Sequence, residues 1–306
     1  MAAMLRITSQ FHVYLTALRP WSFSASLIPV LLGAILSYKI DGLFNLPVFI
    51  VVCVIALAVH AAGNLVNTYY DFKKGVDTKK SDDKTLVEGH MTSNDVATLG
   101  GICYGIGCFG LLVLCVLSSA SVPHLALVYF CGLSGSFFYT GGLGLKYIAV
   151  GDIVIFLTFG PLTVVFTYLA LTGKFSLAAV VYALPLAINI ECILHTNNCR
   201  DALTDQQAGI VTLAIMLGPT LSYFLFCILL FGPMIAFAYV SFNFSFWFML
   251  PLSTIYYAFA IERSFRSRMM SQLPQKVAFM NLIFGINYLL SICATAPDNL
   301  PLLSQA

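Results

Sequence analysis

The sequence predicts an all-α integral membrane protein built from nine transmembrane helices, and three observations carry that prediction. Of its 306 residues, 59% are hydrophobic and 9% are charged, whereas a soluble domain carries charge at roughly a quarter of its positions. Apolar runs long enough to cross a bilayer, about 20 residues each, follow one another along almost the whole chain. The basic residues, finally, collect in alternate joining segments, as expected of a multi-pass topology.

Charges, prolines and glycines place the helices near 22–38, 46–70, 96–118, 124–140, 151–171, 178–198, 209–239, 244–261 and 277–294. Residues 97–145 and 211–261 contain no charged side chain. Each is too long for one helix and fits a hairpin, turning near 118–123 and 241–243. With nine helices and a cytoplasmic N-terminus, Arg6, Arg19, Lys73, Lys74, Lys79, Lys80, Lys84, Lys146, Arg200, Arg263, Arg266, Arg268 and Lys276 share one face, leaving Lys39 and Lys174 on the other. Fusing either hairpin into one helix would invert every later loop and destroy that bias. The expected organisation is a cytoplasmic segment over 1–20, one membrane domain over 21–296 and a tail over 297–306.

Several classes are excluded or disfavoured. A net charge of +2 is too balanced to suggest a nucleic-acid partner. Nine cysteines lie mostly within apolar runs without a CxxC pair, so neither a disulfide framework nor a zinc site is indicated. The N-terminus has no apolar core of signal-peptide length, so no cleaved signal is expected. Two arginines without acids in that segment leave a mitochondrial presequence weakly open.

Chemistry concentrates in two polar clusters. In NLVNTYYDFKKGVD and the turn before it, residues His60, Asn64, Asn67 and Asp71 recur at intervals of four, three and four, which places them on one helical face. Polar groups at membrane depth are costly and usually face a cavity, so this stripe should line one. Asp77 follows Gly75, whose freedom to adopt positive φ lets the chain turn back toward the helix end. In HTNNCRDALTD, Asn197, Asp201 and Asp205 are spaced by four and stack if the helix continues. Asn67, Asp71, Asp77, Asp201 and Asp205 together offer the oxygen ligands that magnesium takes when it also holds phosphates. Bare aspartates would repel a diphosphate, so a metal must bridge them, and Lys84, Arg200, Lys146 and Arg19 are candidate partners for the remaining phosphate oxygens.

Blander roles fit other polar residues. Asp82, Asp83, Glu88 and Asp95 read as solvated interfacial carboxylates. His60 and His195 are expected to satisfy neighbouring polar groups rather than act as bases. The glycines of YTGGLGLKY, residues 139–147, are expected to form a turn, and Gly101 with Gly105 a packing motif. The sequon at Asn243 would lie too close to the bilayer for glycosylation.

Taken together, NLVNTYYDFKKGVD, KKSDDKTLV, LSGSFFYTGGLGLKY, GDIVIFLTFGPL, LHTNNCRDALTDQQAGIVTLAI and LPQKVAFMNL resemble the UbiA superfamily of intramembrane prenyltransferases from about Leu18 to Ala296. The resemblance implies nine helices around a central cavity capped by both aspartate motifs on the cytoplasmic side. It implies Mg2+ as cofactor, with Asn67, Asp71, Asp77, Asp201 and Asp205 as metal ligands and Asp71 and Asp201 at the centre of catalysis. Arg19, Asn67, Lys84, Tyr139, Lys146, Asn197 and Asn198 would bind the diphosphate. The common first motif reads NDxxDxxxD; here Thr68 follows Asn67 and the last aspartate is Asp77, a pattern resembling the quinone branch and one carboxylate short.

The implied reaction transfers a prenyl group, geranylgeranyl by resemblance, from its diphosphate to a reduced naphthoquinol, giving menaquinone-4. The released diphosphate or a motif aspartate would accept the ring proton. The substrates, the lipid bilayer and, by resemblance, a sterol-synthesis enzyme are the expected partners, with no nucleic acid. Endoplasmic reticulum and Golgi membranes are the implied location, with a mitochondrial membrane as the alternative. Prenylation of another aromatic acceptor in ubiquinone synthesis, a non-catalytic lipid carrier and a sterol-regulatory binding protein are the rival readings. Carboxylates gathered at one face argue against a transporter, whose sites tend to lie at the bilayer midplane.

Overall fold

A computed structural model describes residues 13–77 and 83–303 of the chain. Arg6, Lys79, Lys80 and Asp82, which entered the charge count and the loop reading, lie outside the described residues. Nine helical segments follow in order: α1 Ser24–Asp41, α2 Leu46–Lys73, α3 Ser93–Leu117, α4 Val122–Phe138, α5 Gly151–Thr172, α6 Leu177–Gln207, α7 Leu213–Asn243, α8 Ile255–Arg266 and α9 Leu273–Ala294.

Among the described residues, seven helices are long and apolar enough to cross a membrane. The other two segments of the nine-helix expectation fall short of that measure. Helix α4 has 17 residues, and α8 has 12, preceded by a 3₁₀ stretch over Phe246–Thr254. A count of nine therefore depends on these two. Both charge-free stretches do break near the expected turns, between Leu117 and Val122 and just beyond Asn243.

Helix ends follow local chemistry. Asn45 caps α2 by accepting a hydrogen bond from Val48 N at 3.2 Å, with Pro47 in the first turn where its missing donor is harmless. Thr92 and Asp95 form a reciprocal capping box at the start of α3, so Asp95 is a capping residue rather than merely a solvated one. Helix α6 continues well beyond its expected end at residue 198, and it stops only where Gly209 adopts φ +74°. Asp201 and Asp205 therefore stand on regular helix in register with Asn197.

Helices α1 and α5 form the spine between two cores. The larger core joins α1 and α5 to α6, α7, α8 and α9, around Leu32, Leu186, Phe226, Phe248 and Phe284. The second joins the other flank of the spine to α2, α3 and α4, around Val30, Val52, Leu114, Leu125 and Leu169. Lipid tails are as apolar as these side chains, so close packing rather than water expulsion must hold the helices together. Gly33 illustrates the closeness: a Cβ there would lie 2.6 Å from Thr167 Cβ and 2.7 Å from the Val164 carbonyl oxygen. Gly160, inside a π-helical turn over Thr158–Leu162 of α5, similarly faces Ala187 of α6, and a Cβ would come to 2.3 Å.

A smaller third cluster is decisive for the site. Leu86 and Met91, from the segment joining α2 to α3, pack with Ala17, Ala62, Leu65 and Val96. Leu86 and Met91 thereby fix their part of that segment against the ends of α2 and α3.

Candidate active site

Between α1, α2, α4 and α5 lies a cavity of about 150 Å³. The stripe on α2 borders it as its spacing predicts: His60, Asn64 and Asn67 are in the lining, with Tyr139 beside them at the upper end. Val30, Ile55, Tyr129, Leu162 and Phe166 make the rest largely apolar and aromatic. The fourth stripe residue, Asp71, ends the row as a buried carboxylate with 5% exposure.

Asp71 is held by two partners from the turn between α4 and α5. Lys146 Nζ lies 2.7 Å from its Oδ2, and Tyr147 donates its hydroxyl to Oδ1 at 2.7 Å. The Lys146 ammonium also donates to Asn67 Oδ1 at 3.4 Å. Turn geometry makes this arrangement: Gly142 and Gly144 take φ of +53° and +60°, and Lys146 N donates to the Tyr139 carbonyl at 2.7 Å. The glycines thus form the expected turn and, through it, deliver Tyr139 and Lys146 to the cavity mouth. Tyr147 was not expected. It sits in the same quoted block, but its bond to Asp71 joins segments 76 residues apart, which spacing does not show.

The second motif reaches the same place. Val211 N donates to the Tyr147 carbonyl at 3.1 Å, and Ile210 N to the Asp205 carbonyl at 2.9 Å, so the end of α6 is tied to the Lys146 turn. Asp205, 6% exposed, lies within electrostatic reach of Lys146, Asp201, Asp71 and Arg200. Arg200 grips Asp201 with Nε on Oδ1 at 2.8 Å and Nη2 on Oδ2 at 2.7 Å, and donates to Asn197 Oδ1 at 2.7 Å. Asn198 is buried on the same turn of α6, off the face that carries Asn197, Asp201 and Asp205.

Asp77 folds back as its spacing suggests. Gly75 adopts φ +72°, and Val76 N and Asp77 N donate to the Asp71 carbonyl at 2.9 and 3.3 Å. Burial, with the nearby charges of Asp71 and Asp83, pushes its carboxyl up to about 7 against the opposing pull of Arg19 and Lys146. A carboxyl so raised is in a setting that favours a neutralising cation.

Two expectations need correction. Lys84 is not brought to the site: its side chain is half exposed and pairs with Glu88 at 3.0 Å. Asp83 is no solvated interfacial carboxylate. Its side chain is 11% exposed and meets Arg19 Nη2 at 2.6 Å, while Thr68 donates its hydroxyl at 2.5 Å and Thr85 its N–H at 2.9 Å. Burial alone would raise this carboxyl, but Arg19 and the two threonines outweigh it and hold it at about 2. The misreading came from taking each aspartate of SDDK as loop chemistry, when burial of Leu86 nearby fixes where the loop goes.

His60 is satisfied on both ring nitrogens, by the Ser22 and Ser26 hydroxyls at 3.1 and 2.7 Å. His195 is satisfied on one: Nε2 meets the Ser222 carbonyl at 2.9 Å, while Nδ1 is buried without a hydrogen-bond partner among the described residues. Two further buried acids went unread, Asp152 on α5 and Glu191 on α6, each 6% exposed. Both act electrostatically on Tyr139. Glu191 was legible, since an ionisable residue deep in an apolar helix is a functional candidate by default.

The site's donors are all hard oxygens, the chemistry magnesium takes beside a phosphate. Among the described residues they are not gathered into a ready cluster of three acids, because Lys146 and Arg200 hold Asp71 and Asp201 as ion pairs. The donor types suit the ion, while their present placement is that of two ion pairs beside one another.

Comparison with known proteins agrees with this architecture. The family described as the UbiA prenyltransferase family matches residues 26–283. The chain is 52% identical over 299 residues to "UbiA prenyltransferase domain-containing protein 1" of Danio rerio, covering 98% of this chain and 89% of that protein. Its fold is similar to that of a UbiA homologue from Aeropyrum pernix K1, with a TM-score of 0.70 at 13% identity over 89% of this chain and 98% of that one. It is also similar to a UbiA homologue from Archaeoglobus fulgidus bound to GPP and Mg2+, with a TM-score of 0.65 at 16% identity over 92% of this chain and 100% of the other. A multi-pass helical chain matched by that family over most of its length, and half identical to such a relative, belongs to the UbiA prenyltransferase family and is a prenyltransferase.

Proposed function

We propose that the enzyme transfers a geranylgeranyl group from its diphosphate to a reduced naphthoquinol, forming menaquinone-4, with magnesium bound between the two aspartate motifs. The observation that carries this reading is the juxtaposition at Asn67 and Tyr139: a polar mouth ringed by Asp71, Lys146, Asp77 and the end of α6 opens onto an apolar, aromatic cavity. One end suits a metal-bridged diphosphate and the other a hydrocarbon chain. The Danio rerio relative and the GPP- and Mg2+-bound homologue support the substrate class. Endoplasmic reticulum and Golgi membranes are the proposed location.

In this proposal Asp71, Asp201, Asp77, Asp205 and Asn67 hold the metal, and Asp71 and Asp201 are its central ligands. Bound magnesium would supply Lewis-acid neutralisation of the leaving diphosphate. Lys146 and Arg19, with Arg200, Tyr139, Asn197 and Asn198, would orient the diphosphate oxygens through hydrogen bonds and charge. The cavity wall excludes water from the allylic cation released as the C–O bond breaks. Its aromatic members, Tyr129, Phe159 and Phe166, offer ring faces to that cation. The electron-rich ring of the quinol then attacks the allylic carbon, and transfer of the ring proton to the released diphosphate or a motif aspartate restores aromaticity.

The test is direct. Purified protein in detergent, given magnesium, radiolabelled geranylgeranyl diphosphate and menadiol, is expected to release diphosphate and form a prenylated quinone identified by mass spectrometry. Turnover with another aromatic acceptor but not with menadiol would move the assignment to that acceptor.

A further inference from the structure

We propose that Asp83 is a positioning residue for the prenyl diphosphate, delivering from the α2–α3 loop the carboxylate that helix position 68 lacks and holding Arg19 at the cavity mouth. The inference rests on the prenyl-transfer reading and goes beyond it by assigning a role to a residue outside both motifs.

Its basis is a three-way contact among segments far apart in sequence. Asp83 Oδ2 accepts from Thr68 Oγ1 at 2.5 Å and from Arg19 Nη2 at 2.6 Å, and Arg19 Nη2 also reaches Thr68 Oγ1 at 3.3 Å. Thr68 is 1% exposed, so the carboxylate is seated against a closed helix surface one residue beyond Asn67. A side chain at 68 carrying its own carboxylate would project into the same spot. The common motif of the resembling family has an aspartate there; this chain fills the place from another segment.

The supporting frame is rigid. Arg19 has left-handed backbone angles, φ 54° and ψ 58°, a conformation disfavoured for a residue with a Cβ and retained only where surroundings impose it. Those surroundings are visible: Asn64 Nδ2 donates to the Leu18 carbonyl at 3.0 Å and to Ser22 Oγ at 3.2 Å, fixing the turn that carries Arg19 to the cavity-lining stripe. On the loop side, Thr85 N holds Asp83 Oδ1 at 2.9 Å, and Leu86 and Met91 are packed into the third core cluster. Asp77 lies within electrostatic reach of both Arg19 and Asp83, which puts the triad beside the end of the first motif.

The charged partner of Asp83 is Arg19, with Thr68 and Thr85 completing its hydrogen bonds, so the proposed role runs through the guanidinium. Among the described residues, the Arg19 side-chain bonds use Nη2, so an anion at the mouth meets a guanidinium already held in orientation. A planar, preorganised guanidinium binds phosphate oxygens with less loss of side-chain freedom than a loose one.

The experiment is a double-mutant cycle of the full-length protein: wild type, Asp83→Asn, Thr68→Asp and the double variant. Binding of radiolabelled geranylgeranyl diphosphate with magnesium is measured alongside kcat and KM. Asp83→Asn is expected to weaken binding about tenfold, the scale of a lost charge-assisted hydrogen bond. Thr68→Asp alone places two carboxylates on one guanidinium and is expected to bind at least threefold more weakly than wild type. The double variant, with a single helix-borne carboxylate on Arg19, is expected to return to within about threefold of wild type.

A purely structural contact would show that rescue in thermal stability, with kcat and KM disturbed together, whereas a positioning role shows it in prenyl diphosphate binding and KM at near-constant kcat. Additive losses in the double variant, or wild-type binding by Asp83→Asn, would overturn the proposal. Should Asp83→Asn not fold, Thr68→Val keeps the ion pair and removes only the hydroxyl. Weakening of threefold or more at unchanged kcat supports the proposal, and wild-type binding overturns it. Wild-type protein that binds no prenyl diphosphate would instead refute the broader reading, independently of the cycle.

Discussion

Lys146 and Asp71 form a buried ion pair at 2.7 Å, with side-chain exposures of 14% and 7%, at the point where the cavity meets the polar mouth. Taking two charges out of water is costly unless each satisfies the other. In the proposed reaction the pair would keep a cation for the diphosphate and an anion for the metal in one neutral unit until substrate arrives.

Removing one half of that unit has a signed consequence. Asp71→Asn leaves Lys146 with a weaker acceptor and, in the proposed mechanism, removes a metal ligand. The kcat/KM for prenyl transfer is expected to fall by a factor on the order of 10²–10³, the scale of losing a preorganised electrostatic group. Lys146→Met is expected to lose a similar factor, with the rise in KM for the prenyl diphosphate dominating. Steady-state kinetics with saturating acceptor checks both, and full activity in Asp71→Asn would remove the first motif from the site.

Tyr147→Phe tests the other support of Asp71. The hydroxyl contributes a hydrogen bond to a charged group, about 1.5–3 kcal/mol, and its ring carries Lys74 Nζ at 3.6 Å from the centroid, a contact that phenylalanine keeps. The expected result is a folded protein with kcat/KM reduced about tenfold and a raised magnesium requirement. An unchanged magnesium titration would show that Tyr147 does not orient the ligand.

How much of this was legible follows the period of each feature. The α2 stripe and the Asn197, Asp201, Asp205 series announced themselves because helical spacing converts sequence distance into a shared face. The turn at Gly75 was readable because only a positive φ returns Asp77 to the helix end. Asp83 and Tyr147 were not, since their roles come from contacts across segments whose meeting depends on tertiary packing. Helix α6 was cut short for a related reason: polar residues after 198 resemble a loop in composition, yet nothing there breaks a helix before Gly209.

Asp83 also gives the pH response a direction. Its folded pKa of about 2 lies below the ordinary 3.8, so the stability it contributes is fully present above about 4 and is lost as pH falls toward 2. Wild-type protein in detergent is therefore expected to lose more thermal stability between pH 5 and pH 3 than Asp83→Asn, which has no carboxyl to titrate there. Parallel melting curves for the two proteins across that range would contradict the assignment of Arg19 and Thr68 as its partners.

Chain length should be set by the cavity. Ala56 lines it beside Ile55, on the apolar stretch away from Asn67; at 1.5 Å of rise per residue, Ala56 and Asn67 are separated along α2 by about 16 Å. A phenylalanine at 56 would fill that far region while leaving the mouth untouched. Ala56→Phe is expected to reduce kcat/KM for geranylgeranyl diphosphate at least tenfold relative to geranyl diphosphate, in line with the discrimination that apolar pockets achieve over small changes in fit. Competition between the two donors, with products separated by mass, gives the ratio directly. If the ratio stays at the wild-type value while the protein remains active, the hydrocarbon chain does not occupy this cavity, and the mouth described here must feed a different path.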